Sequence, residues 1–297
     1  MNTKFKKAII NGLIFIFFIV LTFYIIFKDH NIDDILRILK TADSRFVFLA
    51  VLCMCWFVMS EGINIARTLK LLGCNINFLS GIKYALVGFF FSSVTPSASG
   101  GDPMQIYYMK KDGLPIGKST LAILTEFSSF QFVTITMSII GFWLNYQFIE
   151  DSVGNIKYFL MLGVAVNTII LGIIILSIFS KRLIIKLVDL VCKLLWKFKV
   201  RNIEGFRDKC IEQIDSYKKG AKLLFQNPKV LLKIVLTTIL QITLYHSIPY
   251  LIYRSFGLNE ASYFQFLTLQ AVLYISVSYM PLPRSSRLKR RWIYANL

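Results

Sequence analysis

The chain has 297 residues, of which 56% are hydrophobic, 15% aromatic and only 17% charged, with mean hydropathy +0.61. A soluble domain carries about 25% charged residues, so this composition excludes a water-soluble globule and predicts an all-α polytopic membrane protein. The formal net charge of +18 does not point to nucleic acid, because the basic residues gather at the ends of apolar runs, where they set topology.

Taken in order, the first apolar run is Ala8–Phe27. Lys4, Lys6 and Lys7 precede it and predict a cytoplasmic N-terminus. Ile26-Phe27-Lys28-Asp29-His30 offers no small-x-small cleavage site, so the run reads as a retained span and not a signal peptide. Asn31–Lys40 places Ile32, Ile35, Leu36 and Leu39 at helical spacing, which predicts a short amphipathic helix at the outer interface.

Phe46–Ala66 is the second span, with Glu61 near its end and Arg67, Lys70 and Lys83 following. Tyr84–Val94 is then apolar but too short to cross a hydrocarbon core that needs about 20 residues. Both of its flanks, Lys83 and Lys110–Lys111, are basic and therefore on one side. The segment between them predicts a re-entrant loop with Pro96–Pro103 at its tip. A pair of short tilted helices crossing in and out is the competing geometry.

That tip, Thr95-Pro96-Ser97-Ala98-Ser99-Gly100-Gly101-Asp102-Pro103, cannot continue a helix. Broken backbone at membrane depth is tolerated only where protein buries it or where it lines a wet cavity. The segment is therefore the prime candidate site. Glycines permit close backbone approach, and exposed amides in such turns bind phosphate. Asp102 suits a cationic partner or a cap on the next helix.

Thr120–Tyr146, Tyr158–Ser180, Val230–Tyr253 and Ala261–Met280 complete about six transmembrane helices plus the re-entrant loop. An ionisable residue inside a span is costly and marks function by default. Glu126 is the clearest case, with Gln131 and Thr134 extending a polar stripe. Its carboxylate suits a cationic headgroup or an internal Arg, and a structural salt bridge or a protonated carboxyl packed between helices is the alternative. Gly12, Gly141 and Gly163 predict close helix approach, and Trp143, Tyr146 and Trp196 suit interfacial belts. Lys181–Asn227 is basic and amphipathic, which fits either an anionic lipid surface or a linker whose charges only fix topology. Integral membrane residues 1–283 thus include a basic cytoplasmic segment, 181–229. Residues 284–297 form a basic tail.

Other chemistries find no support. Gly113-Leu114-Pro115-Ile116-Gly117-Lys118-Ser119 has three residues between its glycines, where a phosphate loop requires four, and no strand precedes it. Cys53, Cys55, Cys74, Cys192 and Cys210 form no disulfide framework, and with His30 and His246 as the two histidines no zinc set of usual spacing exists. No nucleophile–base pair stands out. Neither a catalytic residue nor a metal or other cofactor is expected.

Ser92-Ser93-Val94-Thr95-Pro96-Ser97-Ala98-Ser99-Gly100-Gly101-Asp102-Pro103-Met104-Gln105-Ile106-Tyr107-Tyr108-Met109 closely resembles the signature of the lysylphosphatidylglycerol synthase transmembrane-region family. These are flippase-like domains related to the multiple peptide resistance factor. Glu61 with Arg67, and Glu126, are supporting matches, and the resemblance covers nearly the whole chain. It implies a bacterial plasma membrane and an anionic or aminoacylated phospholipid, such as phosphatidylglycerol or its lysyl ester, moved between leaflets. It implies a headgroup site made of Glu61, Arg67, Thr95, Pro96, Ser97, Ser99, Gly100, Gly101, Asp102, Gln105 and Glu126. In the full-length enzymes of that family a separate soluble domain transfers lysine from lysyl-tRNA. The residues after Met280 are too few for that domain, so the synthase chemistry does not carry over. Phosphatidylglycerol lysyltransferase is thus the rival enzyme reading, and a scaffold docking a separate cytoplasmic synthase through Lys181–Asn227 is a third. Two departures stand against the family pattern. Phe127 occupies a position that is Arg in many members. After Met280-Pro281-Leu282-Pro283, where members tend to carry a Gly-rich turn and a further span, Arg284–Leu297 is basic. In the next reading frame, Arg290–Tyr294 can encode Gly-Gly-Gly-Phe-Met, which predicts a frameshifted, truncated product.

Overall fold

The computed structural model describes residues 40–95, 100–153, 156–179 and 217–277, with isolated positions between 185 and 192. The first span with Gly12, residues 31–39 of the amphipathic stretch, Trp196, most of segment 181–229 and the 284–297 tail lie outside the described residues. Eight helices with well-marked bounds follow one another: α1 (Ser44–Leu71), α2 (Phe78–Val94), α3 (Gly101–Lys111), α4 (Ile116–Leu144), α5 (Tyr146–Val153), α6 (Ile156–Phe179), α7 (Pro228–Ser255) and α8 (Tyr263–Val277). The protein is all-helical, and α1, α4, α6 and α7 contain stretches long and apolar enough to cross a bilayer.

The four predicted long spans from Phe46 to Tyr253 each appear as a helix, displaced by a few residues at the ends. The reason is the same in each case. About 20 apolar residues with no charge can satisfy their backbone in hydrocarbon only as a helix. Turn chemistry then sets the ends. Asp43 caps α1 through Arg45 N–H at 2.9 Å, and Asn77 caps α2 through Ser80 N–H at 2.7 Å.

α4 sits at the centre and packs against α1, α3, α6, α7 and α8, while α1 and α7 form the most extensive helix pair. At one end, Leu72, Leu121, Tyr217 and Ala221 cluster, beside a larger core of Ile65, Leu69, Tyr84, Met109, Ala122 and Ile123. Lys70, Lys83, Lys110, Lys111 and Lys118 belong to this same basic end. At the opposite end Asp43 N–H donates to the Ser255 carbonyl at 2.7 Å, and Asn145 donates to Thr268 at 3.1 Å. The alternation of ends read from the charges therefore matches the packing.

α2 and α3 form a hairpin. Lys83 in the first turns of α2 lies 2.6 Å from Asp112, the residue that ends α3. Tyr84 also donates to Asp112, at 2.8 Å. Both feet of the hairpin are thus at the basic end. α3 has 11 residues and is about 16 Å long, roughly half a hydrocarbon core. This arm by itself is too short to cross. Gly101, Asp102 and Pro103, expected in the non-helical tip, already belong to α3. A proline in a first helical turn has no intrahelical acceptor to lose.

Close helix approach is built on glycine. A Cβ at Gly81 would run into the Gly62 carbonyl, and one at Gly62 would come within 2.7 Å of the Ile82 amide nitrogen. α1 and α2 therefore touch backbone to backbone, as small residues allow in membranes. Gly141 against Thr268 and Gly163 against the Ile275 carbonyl bear out the predicted close helix approach, and the partner in both cases is α8. Trp143 is 82% exposed.

Candidate functional site

The candidate site lies where the hairpin meets α1, α4 and α7. Gln105 of α3 donates through Nε2 to Glu61 Oε1 of α1 at 2.6 Å. Its side chain reaches Glu61 by passing directly over Gly88 of α2. Gly101 packs in turn against Ser92 and the Gly88 carbonyl, so a side chain there would separate the two arms. Thr95 closes the tip: its hydroxyl accepts from Gly100 N–H at 2.9 Å and donates to the Phe91 carbonyl at 2.7 Å.

Glu126 faces this assembly from α4. It is 8% exposed, and neither carboxyl oxygen makes a hydrogen bond. Glu61, Asp102 and Arg67 lie within electrostatic reach, and the Asn64 amide stands beside the carboxyl without completing hydrogen-bond geometry. The three acids differ in access: Asp102 is exposed, Glu61 is half-buried and Glu126 is buried.

Arg67 is held away from the acids. Its Nη1 lies 2.9 Å from Asn64 Oδ1, 2.9 Å from the Lys233 carbonyl and 3.0 Å from Thr237 Oγ1. The internal Arg–Glu salt bridge weighed as an alternative for Glu126 is absent among the described residues. The reason is that three neutral oxygens from α1 and α7 hold the guanidinium about a helical turn beyond Glu61. Asn64, 1% exposed, joins the helices: it accepts from Arg67 and donates to Thr238 at 3.1 Å. Thr238 in turn shares a 2.8 Å bond with Ser129 of α4. Gln241, one turn along α7, donates to the Phe57 carbonyl at 3.2 Å and leaves Oε1 without a partner.

One turn further from the basic end, aromatic rings close a circuit across four helices. Phe57 and Phe130 have centroids 6.4 Å apart, Phe130 and Tyr274 6.0 Å, Tyr274 and Tyr245 6.2 Å, and Tyr245 and Phe57 4.8 Å. Three of these residues are four positions from Glu61, Glu126 and Gln241 on their own helices. A ring thus stacks one turn above each polar group. This aromatic layer lies between the polar layer and the opposite end.

The structure brings Glu61, Asp102, Gln105 and Glu126 together, with Arg67 at the margin. Thr95, Gly100 and Gly101 shape the hairpin tip. Pro96, Ser97 and Ser99 lie outside the described residues. Asp102 does not cap α3; it sits in the first turn, with Gly100 at the cap position, where a carboxylate still favours the helix dipole. Sequence reading missed Asn64, Ser129, Thr238, Gln241 and the four rings. Spacing carried a faint signal, since Glu61, Asn64 and Thr68 fall on one helical face, as do Thr238, Gln241 and Tyr245.

Among the described residues no group of three or more His, Cys, Asp or Glu is arranged to hold a metal ion. Glycines 113 and 117 flank the turn into α4 and no strand precedes them among the described residues, so the phosphate-loop likeness has no structural counterpart.

Comparison with known proteins gives a consistent picture. A family model described as the lysylphosphatidylglycerol synthase TM region matches residues 9–286. A "UPF0104 membrane protein" of Archaeoglobus fulgidus is 23% identical over 92% of this chain and 83% of its own length. A protein of the same description from Methanocaldococcus jannaschii is 25% identical over 77% of this chain and 66% of its own. One from Pyrococcus horikoshii is 29% identical over 27% of this chain and 24% of its own. No solved structure matches.

Proposed function

The chain belongs to the lysylphosphatidylglycerol synthase TM region family, and from that premise we propose that it receives a phospholipid headgroup at the hairpin site and passes it between leaflets. The lipid is an anionic or aminoacylated species such as lysylphosphatidylglycerol, and the membrane is the cell membrane with the basic end cytoplasmic. The observation that carries this reading is Glu126: a buried carboxyl beside Glu61 and Asp102 whose two oxygens complete no hydrogen bond and no ion pair. A carboxylate buried without a partner costs several kcal/mol, so its place here makes sense when a cation visits. A headgroup ammonium is such a cation. The start of α3 is the positive end of a helix, which favours the accompanying phosphate.

The graded exposure of Asp102, Glu61 and Glu126 supports an entry route that starts at the hairpin. The ring circuit of Phe57, Phe130, Tyr245 and Tyr274 supports a barrier that must part before the headgroup reaches the far leaflet. Proteoliposomes holding the chain and lysylphosphatidylglycerol, probed with an impermeant amine reagent, test the reading. Exposure of the lipid on the far leaflet should rise with the intact chain and fall at least tenfold in rate in Glu126→Gln and Asp102→Asn. Equal rates in all three would overturn it.

A further inference from the structure

Among the described residues, the charge inventory around Glu126 does not balance. α1 presents Glu61 and Arg67, α3 presents Asp102, and the facing turns of α7 present Thr237, Thr238 and Gln241, which do not ionise. Lys233 contributes its carbonyl to Arg67 while its side chain is exposed. His246 packs against the Tyr245 and Tyr274 rings, with centroids 5.8 Å from each. α8 offers Tyr274. Three carboxyls thus share one guanidinium, and that guanidinium already lies against three neutral oxygens. Like charges at close quarters in a poorly polarisable interior cannot all stay ionised. Independently of that charge count, the Glu126 carboxyl is more than nine-tenths buried, and the Asn64 amide beside it completes no hydrogen bond to either oxygen.

We propose that the site exchanges a proton for its cationic occupant, so that headgroup movement is coupled to proton movement in the opposite direction. This rests on the reading that a headgroup ammonium enters the site. Between occupants, Glu126 holds a proton. When an ammonium arrives, the O–H bond of the Glu126 carboxyl breaks, the proton leaves by way of half-buried Glu61 and exposed Asp102, and the carboxylate pairs with the ammonium. One positive charge enters and one leaves. Release on the far side runs the exchange backward, with a proton taken from that side. The balance supplies a driving force: a membrane more acidic outside favours outward release of the cation and inward return of the proton.

The intact chain in detergent, weakly buffered with a pH dye, tests the exchange by titration with short-chain lysylphosphatidylglycerol. Phosphatidylglycerol, which lacks the ammonium, is the control. The expected result is about one proton released per lysyl lipid bound, none with the control, and an affinity that strengthens about tenfold per pH unit where the proton is displaced. Glu126→Gln should bind at least tenfold more weakly than wild type at the pH where wild type binds best, with no proton released and no pH dependence. Wild-type binding without proton release overturns the exchange and leaves the headgroup reading standing. Absence of wild-type binding overturns both.

Discussion

Gln105 reaches Glu61 only because residue 88 is glycine: the amide that donates at 2.6 Å lies where a Cβ on Gly88 would be. The bond is charge-assisted when Glu61 is ionised, and such bonds are worth about 1.5–3 kcal/mol. It ties the returning arm of the hairpin to α1, so the tip's position depends on a contact two helices away.

Gly88→Ala should therefore fold and still lower the lipid transfer proposed for the hairpin site. The colliding atoms are the end of a flexible side chain, which can swing aside at the expense of its bond to Glu61. Gly81→Ala should behave differently, because its Cβ meets the Gly62 carbonyl of a neighbouring backbone and the Ala66 methyl. Thermal unfolding in detergent should show a small loss for Gly88→Ala, about 1–2 kcal/mol, and a larger one for Gly81→Ala. Equal stability losses would contradict the packing described.

Arg67→Lys should loosen α1 from α7 while keeping the charge. A guanidinium nitrogen satisfies Asn64, Thr237 and the Lys233 carbonyl at 2.9–3.0 Å. A lysine side chain is one bond shorter, so its ammonium stops short of the place where Nη1 meets all three oxygens. A stability loss of about 1–3 kcal/mol is expected, and Arg67→Lys should lose more than Lys70→Arg, which sits exposed one turn on. A neutral outcome for Arg67→Lys would mean that the guanidinium's contacts do not hold the helices.

These two cases mark what could be read from sequence. Spans were legible because an unbroken apolar run has one solution in hydrocarbon. The hairpin was legible because Lys83 and Lys110 flank a run too short to cross. Glu61, Glu126 and Asp102 stood out as acids in apolar surroundings. Asn64, Ser129 and Thr238 did not, since neutral polar residues are ordinary in spans and only helix rotation decides which ones meet. With 26 Phe and 14 Tyr in the chain, nothing local selects Phe57, Phe130, Tyr245 and Tyr274 as a closed circuit. The partnerless state of Glu126 is likewise a fact about neighbours, and sequence records no neighbours across helices.

The hairpin feet carry a pH signature. Lys83 and Tyr84 donate to Asp112 and hold its carboxyl below the usual carboxylate range. A group whose value is depressed on folding adds stability that is present above the unfolded value, about 4, and is lost as pH falls through the folded value. Melting temperature followed from pH 6 to pH 2 should therefore fall more steeply for wild type than for Asp112→Asn. The difference should be modest, under about 1 kcal/mol, because both partners are partly exposed. Parallel curves would mean that the contact adds nothing to the hairpin's hold.

Phe130→Ala tests the ring circuit as a barrier. Removing this ring deletes contacts to both Phe57 and Tyr274 and leaves a gap between Glu126 and the end of the bundle remote from the lysines. A stability loss of about 3–5 kcal/mol would follow from the cavity alone. A barrier predicts more: an impermeant thiol reagent added from that end should reach a cysteine placed at Ser129, whose hydroxyl faces Thr238 in the polar layer, in Phe130→Ala and not in the parent. Phe130→Leu, which refills most of the space, should restore both stability and protection. If the Ser129 cysteine reacts equally with and without Phe130, the rings are packing only and the polar layer is already open to both ends.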